Sequence, residues 1–218
     1  ANHPLQGKRV AYHDKTSQKT PELTHNYRLG LSYAFAANHQ LSLAYTGKWD
    51  SSHPHHETKG TGTSQQQGNE HTYLHNVDAS YNLPFGLQIG ISYLNYQNPS
   101  QQYLEGTMLD EERILYTNSK QVIDKWLFTA DQSHSLKKGW ELSYGMKFQN
   151  SNNRSYQATT NKDGADIPDA TSQVNIEERI LSFYGGISKQ INERISLEAS
   201  VEAEQYHSPQ WNKWHIYP

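Results

Sequence analysis

Five histidines stand close together between Asp50 and Asn76, at His53, His55, His56, His71 and His75. Neutral imidazoles bind zinc, copper or haem iron, so metal chemistry is the first reading to weigh. Their spacing matches no ordered metal-site pattern, and a solvated polar loop accounts for the run. His53, His55 and His56 remain the weak metal candidates, and the expectation is no bound metal or other cofactor. Asp110, Glu111 and Glu112 with Arg113 offer oxygens that would suit calcium, but the EF-hand spacing is missing. Asp163 and Asp166 make the same case with fewer ligands. Ser and His are plentiful, yet no nucleophile-elbow pattern occurs and the carboxylates are scattered, so no catalytic residue is assigned and a non-enzymatic protein is expected.

A more informative charge set lies on alternating segments. Glu198, Glu202 and Glu204 share one parity with Arg194, and Glu178, Tyr184, Asp78, Lys125, Glu141 and Lys147 fall on the polar parity of other segments. Glutamates on one face of a strand repel one another, so they need water or basic partners. A lumen filled by water or by a plug would satisfy them, and these ten residues are the expected lumen-facing set.

The elements that must position them are strands. Tyr27, Leu29, Leu31 and Tyr33 alternate with Arg28, Gly30 and Ser32; after a tight turn, Leu41, Leu43 and Tyr45 alternate with Ser42 and Ala44. The same pattern recurs over 71–83 and 87–97, with Ile89, Ile91 and Tyr93 on the apolar parity. It recurs again over 122–134 and 140–149, with Leu142 and Tyr144, and over 174–187 and 194–205, with Leu197 and Val201. These fourteen apolar-parity residues are the expected lipid-facing set. Connections alternate between short turns and long polar stretches at 50–70, 98–121 and 150–173, which read as loops.

Laid side by side, the aromatics form two bands: Tyr33, Phe35, Tyr81 and Trp140 near the short turns, and Tyr45, Trp49, Tyr73, Tyr93, Trp126 and Phe148 near the long connections. Two aromatic girdles, short turns on one side and long loops on the other describe an all-β antiparallel transmembrane barrel of the bacterial outer membrane. The mean hydropathy of -0.92 does not oppose this, because a barrel strand needs only about 9–11 residues with alternate ones apolar. The 15 Tyr and 5 Trp suit a membrane interface. A net charge of -3 without a basic run points away from nucleic acid, and the absence of Cys excludes a disulfide scaffold or a thiol nucleophile.

The expected organisation is one barrel segment over 1–218. Residues 1–25 read as a loop or strand end, 26–205 as four up-down hairpins, and 206–218 as a loop and the start of a further strand, about eight to nine strands in all. No signal peptide is visible at Ala1, and the alternation begun at Trp214 stops at Pro218, so the chain reads as a piece of a longer polypeptide.

Over 174–218 the run Ile176-Glu177-Glu178-Arg179-Ile180-Leu181-Ser182-Phe183-Tyr184, the hairpin after it, and Trp211 to Pro218 resemble the TonB-dependent-receptor-like outer-membrane β-barrel family of Bacteroidetes. Glu178, Tyr184 and the Tyr217-Pro218 step are the matching positions; over 26–150 the likeness is one of strand style. The resemblance implies a barrel of about twenty-two strands with an N-terminal plug, driven by an energy-coupling protein of the inner membrane, with outer-membrane lipids around it. It also implies uptake of an unknown small ligand captured at the long loops, with a surface lipoprotein as a further partner. Neither a plug nor a TonB box is present in these residues. Two alternatives stay open: a complete eight-stranded barrel acting as adhesin or anchor, and a soluble β-sheet binding module.

Overall fold

The computed structural model describes residues 15–36, 39–59, 63–108, 111–193, 195–209 and 211–217. They form one antiparallel sheet of eleven segments: β1 (Lys15–Lys19), β2 (Glu22–Ala36), β3 (His39–Ser52), β4 (His55–Lys59), β5 (Thr63–Asn82), β6 (Leu87–Met108), β7 (Glu111–Ser135), β8 (Trp140–Asn161), β9 (Ser172–Asn192), β10 (Ile195–Ser208) and β11 (Trp211–Tyr217). Among the described residues helix is confined to two single turns of 3-10 type, at Lys137–Gly139 and Pro168–Ala170.

Two of the segment boundaries are proline interruptions in longer strands. Pro21 separates β1 from β2 and Pro54 separates β3 from β4, and neither can donate to a ladder. The register nevertheless continues across both gaps: His53 donates to the Pro21 carbonyl at 3.0 Å and Gly68 to the Pro54 carbonyl at 2.8 Å. Pro99 removes another donor, inside β6, where the β5 pairing skips His71 and Thr72. There the Asn98 side-chain amide donates to the His71 carbonyl (3.2 Å) and to Thr72 Oγ1 (2.9 Å), replacing the missing contact.

The sequence expectation of long loops is corrected by this sheet. Most of 50–70, 98–121 and 150–173 is strand: β4 with the start of β5, the ends of β6 and β7, and the end of β8. β7 alone runs 25 residues, more than twice the ~9–11 needed to cross a bilayer. Apolar alternation marks a strand only where one face is greasy, and these extensions are polar on both faces. They are held by their ladders and by cross-strand polar pairs such as Thr117–Thr159 (3.0 Å), Gln121–Asn153 (3.2 Å) and Gln66–Gln102 (3.3 Å). Among the described residues the longest connection is 162–171. Of the stretch 1–25, expected to be a loop or strand end, Lys15–Lys19 and Glu22 onward are strand, β10 extends to Ser208, and β11 is a formed strand.

Turns at the other end are tight. In the β5–β6 turn, Gly86 adopts φ 83° and donates to the Leu83 carbonyl at 3.1 Å; a Cβ there would sit 2.8 Å from the Ser133 carbonyl, so only glycine fits.

Register assigns every strand two faces. One row runs Leu31, Leu43, Ala79, Ile91, Phe128, Phe148, Leu181 and then Gln205. The row is apolar until β10, where the apolar belt ends at Ala203. A register row that climbs out of the belt is what strands inclined to the belt produce. Among the described residues no hydrophobic side chain is buried: Leu31 is 68% exposed, Leu29 70% and Leu197 60%. The greasy face therefore has no second layer of described residues against it.

Candidate functional site

All fourteen residues of the expected lipid-facing set lie on this apolar face, in rows such as Tyr33–Leu41–Tyr81–Ile89 and Tyr45–Val77–Tyr93–Trp126. The far aromatic band is knit by contact. Tyr93 and Trp126 have ring centroids 4.5 Å apart, His25 stacks on Trp49 at 5.3 Å, and Tyr45 Oη lies 2.7 Å from His75 Nδ1. Near the short turns, Phe35 stacks on Tyr81 at 5.9 Å and Lys189 Nζ stands 4.8 Å over the Trp140 ring. Aromatic bodies with polar tips at both rims fit a boundary between oil and water.

On the opposite face stand Asp78, Lys125, Glu141, Lys147, Glu178, Tyr184, Glu198, Glu202 and Glu204; Arg194 lies outside the described residues. Register brings several together. Lys147, Ser182 and Glu204 are side by side on β8, β9 and β10, and the fully buried Ser182 donates to Glu204 Oε2 at 3.3 Å. One step toward the short turns, Gly145, Tyr184 and Glu202 form the next row, with the Tyr184 ring lying across Gly145. Tyr206 donates to Glu178 at 2.5 Å, and the tyrosyl proton is held more tightly than usual because that carboxylate accepts it. Lys125 faces Ser151, which faces Glu178. Asp78 is distant from this group, near Asn76 and Ser92.

Among the described residues the charged rows show no ion pair within themselves. Ion pairs among the described residues include Lys48–Asp50, Lys59–Glu57, Arg154–Asp124 (2.7 Å) and Arg179–Glu177 (2.7 Å), none of which uses a member of the expected lumen set. Strands spaced about 4.8 Å apart put the Cα atoms of Lys147 and Glu204 roughly 10 Å from one another, close enough to share a field through water, and no ion pair joins them among the described residues. Among the described residues no cluster of three metal-ligating side chains occurs; His53 lies in the gap between β3 and β4, and His55 and His56 are the first two residues of β4.

Reading the sequence missed a third arrangement, on the apolar face but beyond its belt. Asp124, two residues above Trp126, accepts from Tyr93 Oη (2.9 Å), Asn95 Nδ2 (2.7 Å) and Arg154 Nη2 (2.7 Å). Burial alone would raise its pKa, but the hydrogen bonds from Asn95, Tyr93 and Arg154 outweigh it and hold the carboxyl below the ordinary range. Beside it opens a hollow of about 560 Å3 lined by Lys120, Val122, Arg154, Tyr156, Gln173 and Asn175. The signal was absent from the sequence because these residues are about thirty apart on three strands.

Sequence comparison settles the class of protein to which this sheet belongs. The family model of the outer membrane protein beta-barrel family matches residues 86–210. The chain belongs to that family. It is accordingly a protein of the bacterial outer membrane, and the soluble-module alternative falls. No curated protein matches this member in sequence. Among solved structures it is similar to the ferric yersiniabactin uptake receptor FyuA of Yersinia pestis, with a TM-score of 0.49 and 9% identity over 87% of this chain and 33% of that one. It is also similar to the ferripyoverdine receptor of the outer membrane of Pseudomonas aeruginosa, with a TM-score of 0.45 and 12% identity over 97% of this chain and 39% of that one. The barrel-family chain thus spans about a third or more of the length of the solved chains it resembles.

Proposed function

We propose that this chain is the wall of an outer-membrane uptake transporter of the TonB-dependent-receptor-like kind found in Bacteroidetes, its apolar face against lipid and its acid-rich face lining a wide, wet lumen. The observation that carries the reading is the sheet itself. It has one uninterrupted apolar belt, an opposite face with Glu178, Glu198, Glu202 and Glu204, and, among the described residues, no ladder joining β1 or β2 to β11. An open edge in hydrocarbon leaves backbone groups unpaired at several kcal/mol each. Further strands would therefore continue the wall on both sides, which favours a large barrel over the small eight-stranded adhesin or anchor. Inward-facing glutamates without a cationic partner among the described residues favour water or a plug over a dry, side-chain-filled interior. In this reading the small ligand is captured by the polar hairpin extensions of β4 to β9, and an inner-membrane energy-coupling protein and a surface lipoprotein are partners of the assembled transporter.

These 218 residues contain no Cys, so single cysteines introduced here report cleanly in a gene product otherwise free of cysteine. Leu31→Cys, Ile91→Cys and Leu197→Cys should resist a membrane-impermeant maleimide in intact outer membranes, while Ser32→Cys, Ser92→Cys and Glu198→Cys should react. A pattern without period two in these pairs, or ready labelling of the apolar set, would reject the assignment of faces.

A further inference from the structure

The hollow beside Asp124 has a position and a donor set that the transport reading does not use. Its lining residues Asn95, Lys120, Asp124, Arg154, Tyr156 and Asn175 share the outward parity with Tyr93 and Trp126. Arg154 pairs with Val122, four residues beyond Trp126, which is about 13 Å along the strand and roughly 10 Å in height at a barrel tilt. The polar headgroup layer adds roughly 5–8 Å to each side of the hydrocarbon, so Asp124, two residues beyond Trp126 and about 5 Å up by the same measure, lies within it, and Arg154 stands just above its outer edge. The hollow therefore faces headgroups, above an aromatic rim that marks the oil boundary.

Its chemistry is that of an anion site. Asp124 accepts from Tyr93, Asn95 and Arg154, so its negative charge is already engaged. Arg154 spends one terminal nitrogen on that bond, and the guanidinium keeps further N–H donors. Lys120 has no ion-pair or hydrogen-bond partner among the described residues, and the same holds for the side chains of Tyr156 and Asn175. The other outward charges at this level, Arg179 and Glu177, neutralise each other at 2.7 Å. What remains is one net positive charge, Lys120 beside the Arg154–Asp124 pair, next to Val122 and ringed by neutral donors.

We propose that this hollow binds the phosphorylated sugar headgroup of an outer-leaflet glycolipid, with Lys120 and Arg154 on the phosphate and Tyr156, Gln173 and Asn175 on the sugar. The inference rests on the apolar face meeting lipid. Asp124 is a positioning residue, holding Arg154 at the mouth.

The test uses the full-length gene product purified in detergent, with diphosphoryl lipid A as probe, read by native mass spectrometry and titration. The wild-type protein should bind it, dephosphorylated lipid A should bind about tenfold or more weakly, and Lys120→Gln/Arg154→Gln should lose a similar factor. Millimolar inorganic phosphate should fail to displace the lipid. Equal affinity for the dephosphorylated lipid, an unchanged double variant, or displacement by inorganic phosphate overturns the proposal, the last in favour of a soluble anion. Should the double variant lose heat-modifiable migration, Lys120→Gln alone decides: about fivefold weakening supports the site, and wild-type affinity rejects it. Quenching of Trp126 by brominated acyl chains, taken as the difference from Trp126→Phe, tests the lipid face separately. Quenching without phosphate discrimination sinks only this site; no quenching sinks the face assignment beneath it.

Discussion

Ile91 and Ser92 are consecutive residues of β6 on opposite faces, and arginine at each should behave very differently. Ile91 sits mid-belt between Ala79 and Phe128, with Tyr93 as its next outward neighbour along the strand. No carboxylate of the apolar face stands closer along the strands than Asp124, which is already engaged by Arg154. Arginine there meets hydrocarbon without a partner, at a cost of about 2–4 kcal/mol near the midplane. At about 1.4 kcal/mol per decade that is a loss of roughly 30- to 1000-fold in the folding equilibrium. Ser92 donates to Asn76 Oδ1 at 3.2 Å and faces Asp78 across the ladder. Arginine there forfeits one polar contact of about 1 kcal/mol and gains a carboxylate neighbour, so the net should stay under about 1 kcal/mol. Urea titration of refolding into lipid vesicles, with heat-modifiable migration as the readout of the folded state, measures both. Equal penalties, or a larger one for Ser92→Arg, would refute the assignment of Ile91 to lipid and Ser92 to the lumen.

Gly145→Val should cost about 1–3 kcal/mol in the same assay, since its Cβ would fall 2.5 Å from Tyr184 Cζ and 2.7 Å from the Ala130 carbonyl oxygen; unchanged stability would mean that the Tyr184 ring moves freely. Asp124→Asn should be modestly destabilising at neutral pH, under about 1 kcal/mol for so exposed a pair. A carboxyl held below its ordinary pKa stabilises the fold above the unfolded-state value and loses that contribution as pH falls through the folded one. The gap between Asp124→Asn and wild type should therefore persist through neutral pH and close only below the ordinary aspartate range, which a pH series of urea midpoints checks. Replacing Glu198, Glu202 and Glu204 together with Gln should leave the unfolding temperature in detergent nearly unchanged, because no described ion pair depends on them; a collapse would point to a dry interior with buried cations left unpaired.

What could be read from the sequence was whatever carries a period of two against a greasy face. The Tyr27–Tyr33 and Leu41–Tyr45 alternation gives β2 and β3 their orientation, and register fixes neighbours from there, since a one-residue slip would turn Leu43 inward and Ser42 outward. The oxygen contact between Ser32 and Ser42 at 3.2 Å is the polar counterpart of the Leu31–Leu43 pair. The same logic fails at Gln65-Gln66-Gln67 or Asn152-Asn153, where both faces are wet and no parity distinguishes strand from loop. There Thr, Gln and Asn pair across the ladder with nothing apolar to announce it. The Asp124 network was hidden for a different reason: Tyr93, Asp124 and Arg154 meet only because β6, β7 and β8 lie in adjacent register.

The extended polar strands change where recognition would reside. A loop of twenty residues offers many conformations, and binding must overcome the entropy of fixing them. β5, β6, β7 and β8 instead carry their polar side chains on ladders that continue from the membrane belt, so Gln66, Glu70 and Gln102, linked at 3.3–3.4 Å, are already ordered without a ligand. Pro54 and Pro99 interrupt this stiffness at nearby levels, and each gap is bridged, by Gly68 in one case and by the Asn98 amide in the other. On the proposed assignment of faces, a wall stiff from belt to tip would present a fixed surface on both sides, inward to the lumen and outward, at Lys120 and Arg154, to the membrane. Recognition by such a wall depends on side-chain identity more than on loop rearrangement. Substitutions in 63–70 and 100–107 that preserve strand propensity should thus alter affinity while leaving the folded state intact, whereas proline at Gln102, inside the β5–β6–β7 ladders, should break both.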